Sequence, residues 1–401
     1  MTEFGVGIVG MGFMGKTHAY AHRTLPYYYA DLPFKTRLIT ACNRSPAAAE
    51  YARDRLGFEN ATTNFEDILN DDRISLVHIC TPNEAHFAQA KAALEAGKHV
   101  YCDKPLTVTY EEARELTEIA QRSGLTAQVA FQNRFFPATI RAHELIEEGR
   151  LGDILCFRTE YLHSGALNAE KPVGWKQGES AGVLLDMGSH AIDLITWLTG
   201  KFTSLYANSI ILYPRRPDKN GNMVDITMED HATLLVTLPS GGTGVIEASK
   251  MCTGIDDELR FEIHGSKGAL RFNLMQPNTL WFYDATKPES VYGGERGFTA
   301  IECTARYAPP AGFPSQKNAV GWIRAHCHSL YSFVNNVYNS RPGDPSFADG
   351  AYVQYVLAKA HESIRQKSPV TLYHSPRKVY KIRHFSQIIR FSACGSTHTA
   401  G

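Results

Sequence analysis

At 401 residues the chain has room for two domains, and 43% hydrophobic against 20% charged residues is the balance of a globular protein with a sizeable core. Lys plus Arg and Asp plus Glu both number 41, so no basic field exists to draw nucleic acid or anionic lipid, and a neutral or weakly polar small ligand fits better. The eight cysteines show no C-x-x-C spacing and read as buried thiols of a reducing compartment. No apolar stretch approaches a membrane span, and the first apolar run opens at Phe4 without room for a signal peptide, so a cytoplasmic location is expected.

The first third alternates short apolar runs at 4–9, 37–42, 76–80, 99–102 and 126–130 with helical patterns at 47–56, 85–95 and 110–123. That order predicts a doubly wound parallel α/β sheet of the Rossmann kind over residues 1–130, with ligand at the carboxyl ends of its strands. A bridging helix follows Pro137 as far as Glu148. Apolar and polar residues then alternate at 153–163, 205–212, 231–238, 243–250, 259–264 and 269–274, between turn signals such as Ser240-Gly241-Gly242 and Gly265-Ser266-Lys267-Gly268. These predict an α+β domain over 131–374 around a large, mostly antiparallel sheet, one face covered and one open to subunit pairing. A helix at about 182–198 interrupts the strands; helices at 322–338 and 347–366 follow, free to pack back on the first domain, and 375–401 reads as a strand with a loose tail.

The first apolar run ends in Gly7-Ile8-Val9-Gly10-Met11-Gly12-Phe13-Met14-Gly15, directly before a helical pattern. Gly10 permits the tight turn, Gly12 lets backbone approach a pyrophosphate, and Gly15 allows close helix-to-strand packing, while the helix N-terminus offers amide donors and a favourable dipole. An ordinary glycine-rich turn has the same letters; the strand and helix on either side favour a dinucleotide site. Three further patterns fall where the cleft should open: Cys80-Thr81-Pro82-Asn83-Glu84-Ala85-His86, Asp103-Lys104-Pro105, and Asp186-Met187-Gly188-Ser189-His190. An ammonium at Lys104 favours alkoxide character in a reacting alcohol, and an imidazole at His190, with an unperturbed pKa near ~6.5, suits reversible proton transfer. Asp186 stands four residues before His190, on the same helical face. The plain alternatives are a surface lysine at a strand end and a structural histidine in an apolar helix.

Taken together and in this order, the patterns resemble the Gfo/Idh/MocA family, that of glucose-fructose oxidoreductase and inositol dehydrogenase, over nearly the whole chain as far as Pro345-Ser346-Phe347-Ala348-Asp349-Gly350. The resemblance implies an NAD(P)-dependent dehydrogenase that moves hydride between nicotinamide and a ring secondary alcohol of a sugar, glycoside or cyclitol. In it Lys104 polarises the hydroxyl, His190 is the acid/base, and Asp186 binds substrate or orients the imidazole. It also implies a lysine–proline bond that is often cis. Cofactor contacts are implied at Gly10, Gly12, Phe13, Met14, Gly15, Thr81, Pro82, Asn83, His86, Asp103, Lys104, Gln132, Arg134, Trp175 and Lys176. His86 fits packing at a helix start as well, and Arg134 a domain junction. The chain departs from the family at Asp103, where glutamate is commoner, at Ser180-Ala181-Gly182, where three glycines are usual, and at Lys176, which lacks the planar fork of arginine. Residues 12–21 and 57–60 look like those of members that oxidise the C3 hydroxyl of glycosides or anhydrosugars.

Cofactor choice stays open between NAD and NADP. At the end of the second strand, where a carboxylate would take the ribose hydroxyls, stands Cys42-Asn43-Arg44-Ser45; Asn43 suits the ribose, and Arg44 either a 2′-phosphate or the adenine face. Lys104, Tyr161, His163, Asp186, His190 and His326 are the candidate substrate contacts, with Tyr161 and His326 equally suited to core or interface. The expected partners are a small polar carbohydrate or cyclitol and further copies of the chain, as a homodimer or homotetramer through the open sheet face, with no nucleic acid and no membrane. No metal is expected, since neighbours in His326-Cys327-His328 would not face one ion on a helix. The alternative function is glycoside cleavage by transient oxidation on tightly bound NAD; a nucleotide-sensing protein with a degenerate site is disfavoured by retention of both Lys104 and His190.

Overall fold

The computed structural model describes residues 1–174 and 181–373; Trp175, Lys176, Ser180 and the predicted tail at 375–401 lie outside them. The N-terminal half runs β1 (Thr2–Val9), α1 (Phe13–Tyr28), β2 (Phe34–Cys42), α2 (Pro46–Leu56), β3 (Asn60–Thr62), α3 (Glu66–Leu69), β4 (Ile74–Ile79), α4 (Asn83–Glu95), β5 (His99–Cys102), α5 (Tyr110–Ser123) and β6 (Ala127–Val129). Its six strands pair in parallel in the order β3-β2-β1-β4-β5-β6, the Rossmann arrangement. The order reverses between β1 and β4, so chain leaves their carboxyl ends in opposite directions and opens a crevice there. Local chemistry sets the helix limits: Thr109 and Glu112 form a reciprocal cap at the start of α5, and Gly124, in the left-handed region, ends it. β3 was not predicted; three residues carry no usable period.

The second half runs α6 (Pro137–Glu147), β7 (Ile154–Leu162), a wide π-helical turn over Leu184–Gly188 that continues into α7 (Ser189–Thr199), then β8 (Ser204–Ile210), β9 (Arg215–Pro217), β10 (Met223–Asp225), β11 (His231–Thr237), β12 (Thr243–Ser249), β13 (Glu258–Gly265), β14 (Gly268–Asn273), β15 (Thr279–Asp284), β16 (Phe298–Glu302), α8 (Trp322–Tyr338), α9 (Phe347–Gln366) and β17 (Val370–Thr371). Nine of these strands form one sheet in the order β16-β15-β14-β13-β7-β12-β11-β8-β17. Only the β7–β12 pair is parallel. That one pair fixes the site, because β7 and β12 end together and β13, antiparallel to β7, begins at the same edge.

Alternation decides the faces. β11 buries Ala232, Leu234 and Val236, which pack with α7 and α9 into the main core, and leaves Leu235 on the other side 52% exposed. The open face carries a register-matched ladder, Arg158 opposite Glu262 opposite Arg271, between apolar positions Leu235 and Tyr206 at one end and Trp281 at the other. β15 escaped prediction because Trp281 and Tyr283 on its open side alternate with buried Leu280 and Phe282, which erases the period of two. α8 returns to the N-terminal domain: Leu330, Phe333 and Val334 join Val6, Ile8, Leu25 and Phe34 in a second core.

Candidate active site

The glycine turn behaves as its spacing requires. Gly10 has φ of +91°, and a Cβ there would meet the Cys80 carbonyl oxygen at 2.4 Å; a Cβ on Gly15 would meet that of Gly10 at 2.0 Å. At Gly12 a Cβ would have nothing within 4 Å, so this backbone faces open space. α1 begins there with no side-chain cap and no acidic residue in its first turn, leaving amide donors and the positive end of the dipole for an anion. This cradle fits a dinucleotide pyrophosphate.

A cleft of about 1150 Å³ runs from the turn to the second domain. Gly10, Gly12, Phe13, Met14, Asn43, Arg44, Thr81, Pro82, Asn83, Asp103, Lys104 and Gln132 line it from the N-terminal domain, Tyr161, His163, Asp186 and His190 from the second, and His326 from α8. Asn43 is partly committed, since its Oδ1 accepts the Met11 N–H at 3.0 Å and braces the glycine turn. Gly15 lies beneath the cradle rather than in the cleft, its lack of a side chain serving the helix-to-strand contact.

Two expected cofactor contacts take the structural alternative that the sequence also offered. His86 is buried, with its ring nitrogens 2.9 and 2.8 Å from the carbonyl oxygens of Pro105 and Thr81; it staples the turn after β4 to the turn after β5. Arg134 is buried in the domain junction, where its guanidinium donates to both carboxylate oxygens of Asp193 at 2.9 and 2.5 Å. A buried arginine needs such a fork-to-fork partner, and α7 supplies it.

The catalytic candidates converge. The Lys104–Pro105 peptide is cis. The Lys104 ammonium donates to the Asp186 carbonyl at 2.6 Å and to its carboxylate at 3.0 Å, both groups being mostly buried. Lys250, just past β12 and not anticipated from the sequence, lies 3.2 Å from the other Asp186 oxygen, so one carboxylate is shared by two ammonium groups. Asp186 therefore engages both lysines. His190 stands one turn further on, 5% exposed, its ring edge-on to Tyr161 at 5.6 Å and to Phe131 at 6.1 Å. The first turn of this helix is wide: the Ser189 N–H reaches back five residues to the Leu184 carbonyl, and the buried Glu229 carboxylate caps the Leu184 N–H at 3.0 Å.

Asp257, at the head of β13, also lines the cleft and was missed. Burial, then the Asp257 carboxylate to which it is hydrogen-bonded, holds the Tyr161 phenol well above its ordinary range, so it stays a donor. Trp322 was missed as well; it opens α8 and places its indole 4.1 Å from the His326 ring. No motif marks these residues, because Lys250, Asp257 and Trp322 each follow or precede an element whose position only the tertiary fold defines.

Beneath the cleft lies a chain of buried histidines. His22 Nε2 is 2.9 Å from His78 Nε2, and His78 Nδ1 is 3.2 Å from His18 Nδ1. Burial lowers His18 to about 4 and His22 to about 3, and pushes His78 well below the usual range, so all three are neutral near pH 7.

A parallel sheet with a glycine cradle at its switch point and Lys104 after β5, joined to a domain whose helix presents Asp186 and His190 to the same cleft, defines an NAD-dependent oxidoreductase. Residues 4–131 match the oxidoreductase family with an NAD-binding Rossmann fold, and residues 139–271 match the GFO/IDH/MocA C-terminal domain. The chain belongs to the GFO/IDH/MocA family. It is 31% identical to levoglucosan dehydrogenase of Pseudarthrobacter phenanthrenivorans, covering 92% of this chain and 98% of that protein. Inositol 2-dehydrogenase of Rhizobium meliloti is 28% identical over 68% of this chain and 77% of its own. Among solved structures, a levoglucosan dehydrogenase in complex with NADH and levoglucosan superposes with a TM-score of 0.88 at 30% identity, over 93% of this chain and all of that one. An oxidoreductase domain protein from Kribbella flavida gives 0.89 at 32%, over 93% of this chain and all of that one.

Proposed function

We propose that this protein is an NAD-dependent dehydrogenase acting on a ring secondary alcohol of a sugar, glycoside or cyclitol. The observation that carries this is the meeting, in one cleft beside the dinucleotide cradle, of Lys104, Asp186 and His190. The named activities of the similar proteins, on levoglucosan and inositol, support a cyclic polyol as substrate.

Gly12 and the first amides of α1 would hold the pyrophosphate, Thr81, Pro82 and Asn83 would flank the cofactor further along, and bound NAD supplies the hydride acceptor. The chain's own work is on the proton and the oxygen. The Lys104 ammonium, aimed by Asp186, donates to the substrate oxygen and favours its alkoxide form. His190 Nε2 takes the hydroxyl proton on oxidation and returns it on reduction. Tyr161, His163 and Asp257 present hydrogen-bonding groups to the remaining hydroxyls. NAD is the cofactor that the similar NADH complexes support. Arg44, which makes no ion pair among the described residues, and the lack of a carboxylate at the end of β2 leave room for a 2′-phosphate, so the preference is read by experiment.

The open sheet face, with Tyr206, Leu235 and Trp281 exposed around a charge ladder, is the proposed surface for pairing of subunits. No described helix is long and apolar enough to cross a membrane. The seven described cysteines are all free, which supports a reducing, cytoplasmic setting.

The test is a panel of anhydrosugars, glycosides, free hexoses and inositols assayed with NAD and NADP separately, following nicotinamide absorbance and identifying products by mass. A keto-sugar formed together with NADH supports the proposal. Free sugar released from a glycoside without net NADH marks bond cleavage instead and overturns it.

A further inference from the structure

We propose that the start of α8 is a sugar-ring subsite, with Trp322 lying against the apolar C–H face of a cyclic substrate and His326 hydrogen-bonding one of its hydroxyls. This rests on the dehydrogenase reading and names the side chains that select its ring over an open-chain polyol.

The first observation is an unsatisfied group. His326 is 2% exposed and neither ring nitrogen has a hydrogen-bond partner among the described residues, yet the residue lines the cleft. Buried polar atoms are rarely left so, and the missing partner is supplied by a ligand. Burial, with His18 and Lys104 nearby, keeps the ring neutral, so it offers one donor and one acceptor and matches a hydroxyl, which both gives and takes.

The second observation is an aromatic wall. Trp322 packs at 4.1 Å on His326 and at 5.5 Å on Phe13, the residue that follows Gly12; Phe13 is 72% exposed. An indole edge beside a neutral imidazole suits a ring that carries C–H groups on one face and hydroxyls at its rim. A flexible hexitol presents no such fixed face and must be ordered first. α8 is anchored in the N-terminal core, so the wall is rigid.

The experiment measures binding to the full-length protein saturated with NADH, by calorimetry, for levoglucosan as the rigid ring and glucitol as the open chain. Trp322→Ala, His326→Ala and His326→Gln are compared with the parent, their folding checked by thermal melting. Trp322→Ala and His326→Ala are expected to weaken levoglucosan binding by at least about tenfold, with glucitol and NADH affinities within about twofold, and His326→Gln to recover part of the loss. Equal losses for both polyols, a loss of NADH affinity, or failure of the parent complex to prefer the ring overturns the subsite. A parent complex that binds levoglucosan but oxidises no member of the panel leaves the subsite standing and refutes the dehydrogenase reading, so the two failures are distinct.

Discussion

The phosphate end of the cleft, which the N-terminal domain provides, is built on main chain at the glycine turn, whereas the end toward the second domain is built on side chains. On the first, Gly10, Gly12 and Gly15 sit within six consecutive residues, and their work is to let backbone come close to a phosphate. On the second, Tyr161, His163, Asp186, His190 and Asp257 come from segments up to 96 residues apart, the span from 161 to 257, and charge and hydrogen-bonding capacity do the work. The comparison teaches that recognition of the shared cofactor is encoded locally, while substrate chemistry is assembled by the sheet. The first domain also buries histidines that stay neutral near pH 7, while an ion-paired lysine–aspartate–lysine group, Lys104 from the first domain with Asp186 and Lys250 from the second, bridges the two.

The sharpest test of that division separates chemistry from cofactor binding. Lys104→Ala and His190→Ala are each expected to lower kcat/KM by about 10²–10⁴-fold with NADH affinity within about threefold. An unchanged turnover number would remove these residues from the mechanism.

The reverse outcome is expected on the main-chain wall. Gly12→Val meets no protein atom, so the melting temperature should hold, while the added side chain fills the phosphate approach and NADH binding should fall by about 10²-fold or more. Retained affinity in a fluorescence titration would show that the dinucleotide takes another path. Gly15→Ala should instead unfold the domain, since its Cβ would press on the Gly10 carbonyl.

A smaller effect is expected at Lys250. Lys250→Met removes one of the two ammonium groups that hold Asp186 and frees the carboxylate to turn, so kcat should fall by roughly tenfold, with KM and NADH affinity little changed. Lys250→Arg should restore part of it. A change in KM alone would make Lys250 a binding group instead.

The smallest effect concerns the buried histidines. Their folded values lie below the unfolded ~6.5, so the unfolded chain binds more protons once the pH drops under that value. The stability they confer is whole above pH 6.5 and declines as the pH falls toward 4, by on the order of 1 kcal/mol per pH unit for each histidine. Urea melts of the parent and of His78→Phe across this range measure it; a parent midpoint independent of pH between 6.5 and 4 would contradict the assignment of neutral buried rings.

Much of the fold is legible in the sequence. α5, α8 and α9 carry an apolar stripe, two of them also a reciprocal cap, and occupy the predicted residues. β9 and β10 are three-residue strands, and β15 shows apolar residues on both faces, so neither length nor period announces them. In the site, Lys104 and His190 were visible because each belongs to a short pattern beside the glycine turn. Arg134 and His86 left two roles open for the same reason: they stand next to cleft residues in the chain, but their side chains turn inward to Asp193 and to two carbonyl groups.

By itself, then, the amino-acid order determined the strand–turn–helix cradle and hence the dinucleotide, because backbone conformation over a few residues depends on which of them lack a Cβ. It also placed a lysine and a histidine at positions where a cleft would form. Only the tertiary structure decided that Asp186 is shared by Lys104 and Lys250, that Asp257 faces Tyr161, and that α8 returns to close the cleft with Trp322 and His326. These contacts depend on β7 and β12 ending side by side in parallel, a pairing between strands 80 or more residues apart that leaves no periodic trace in either strand.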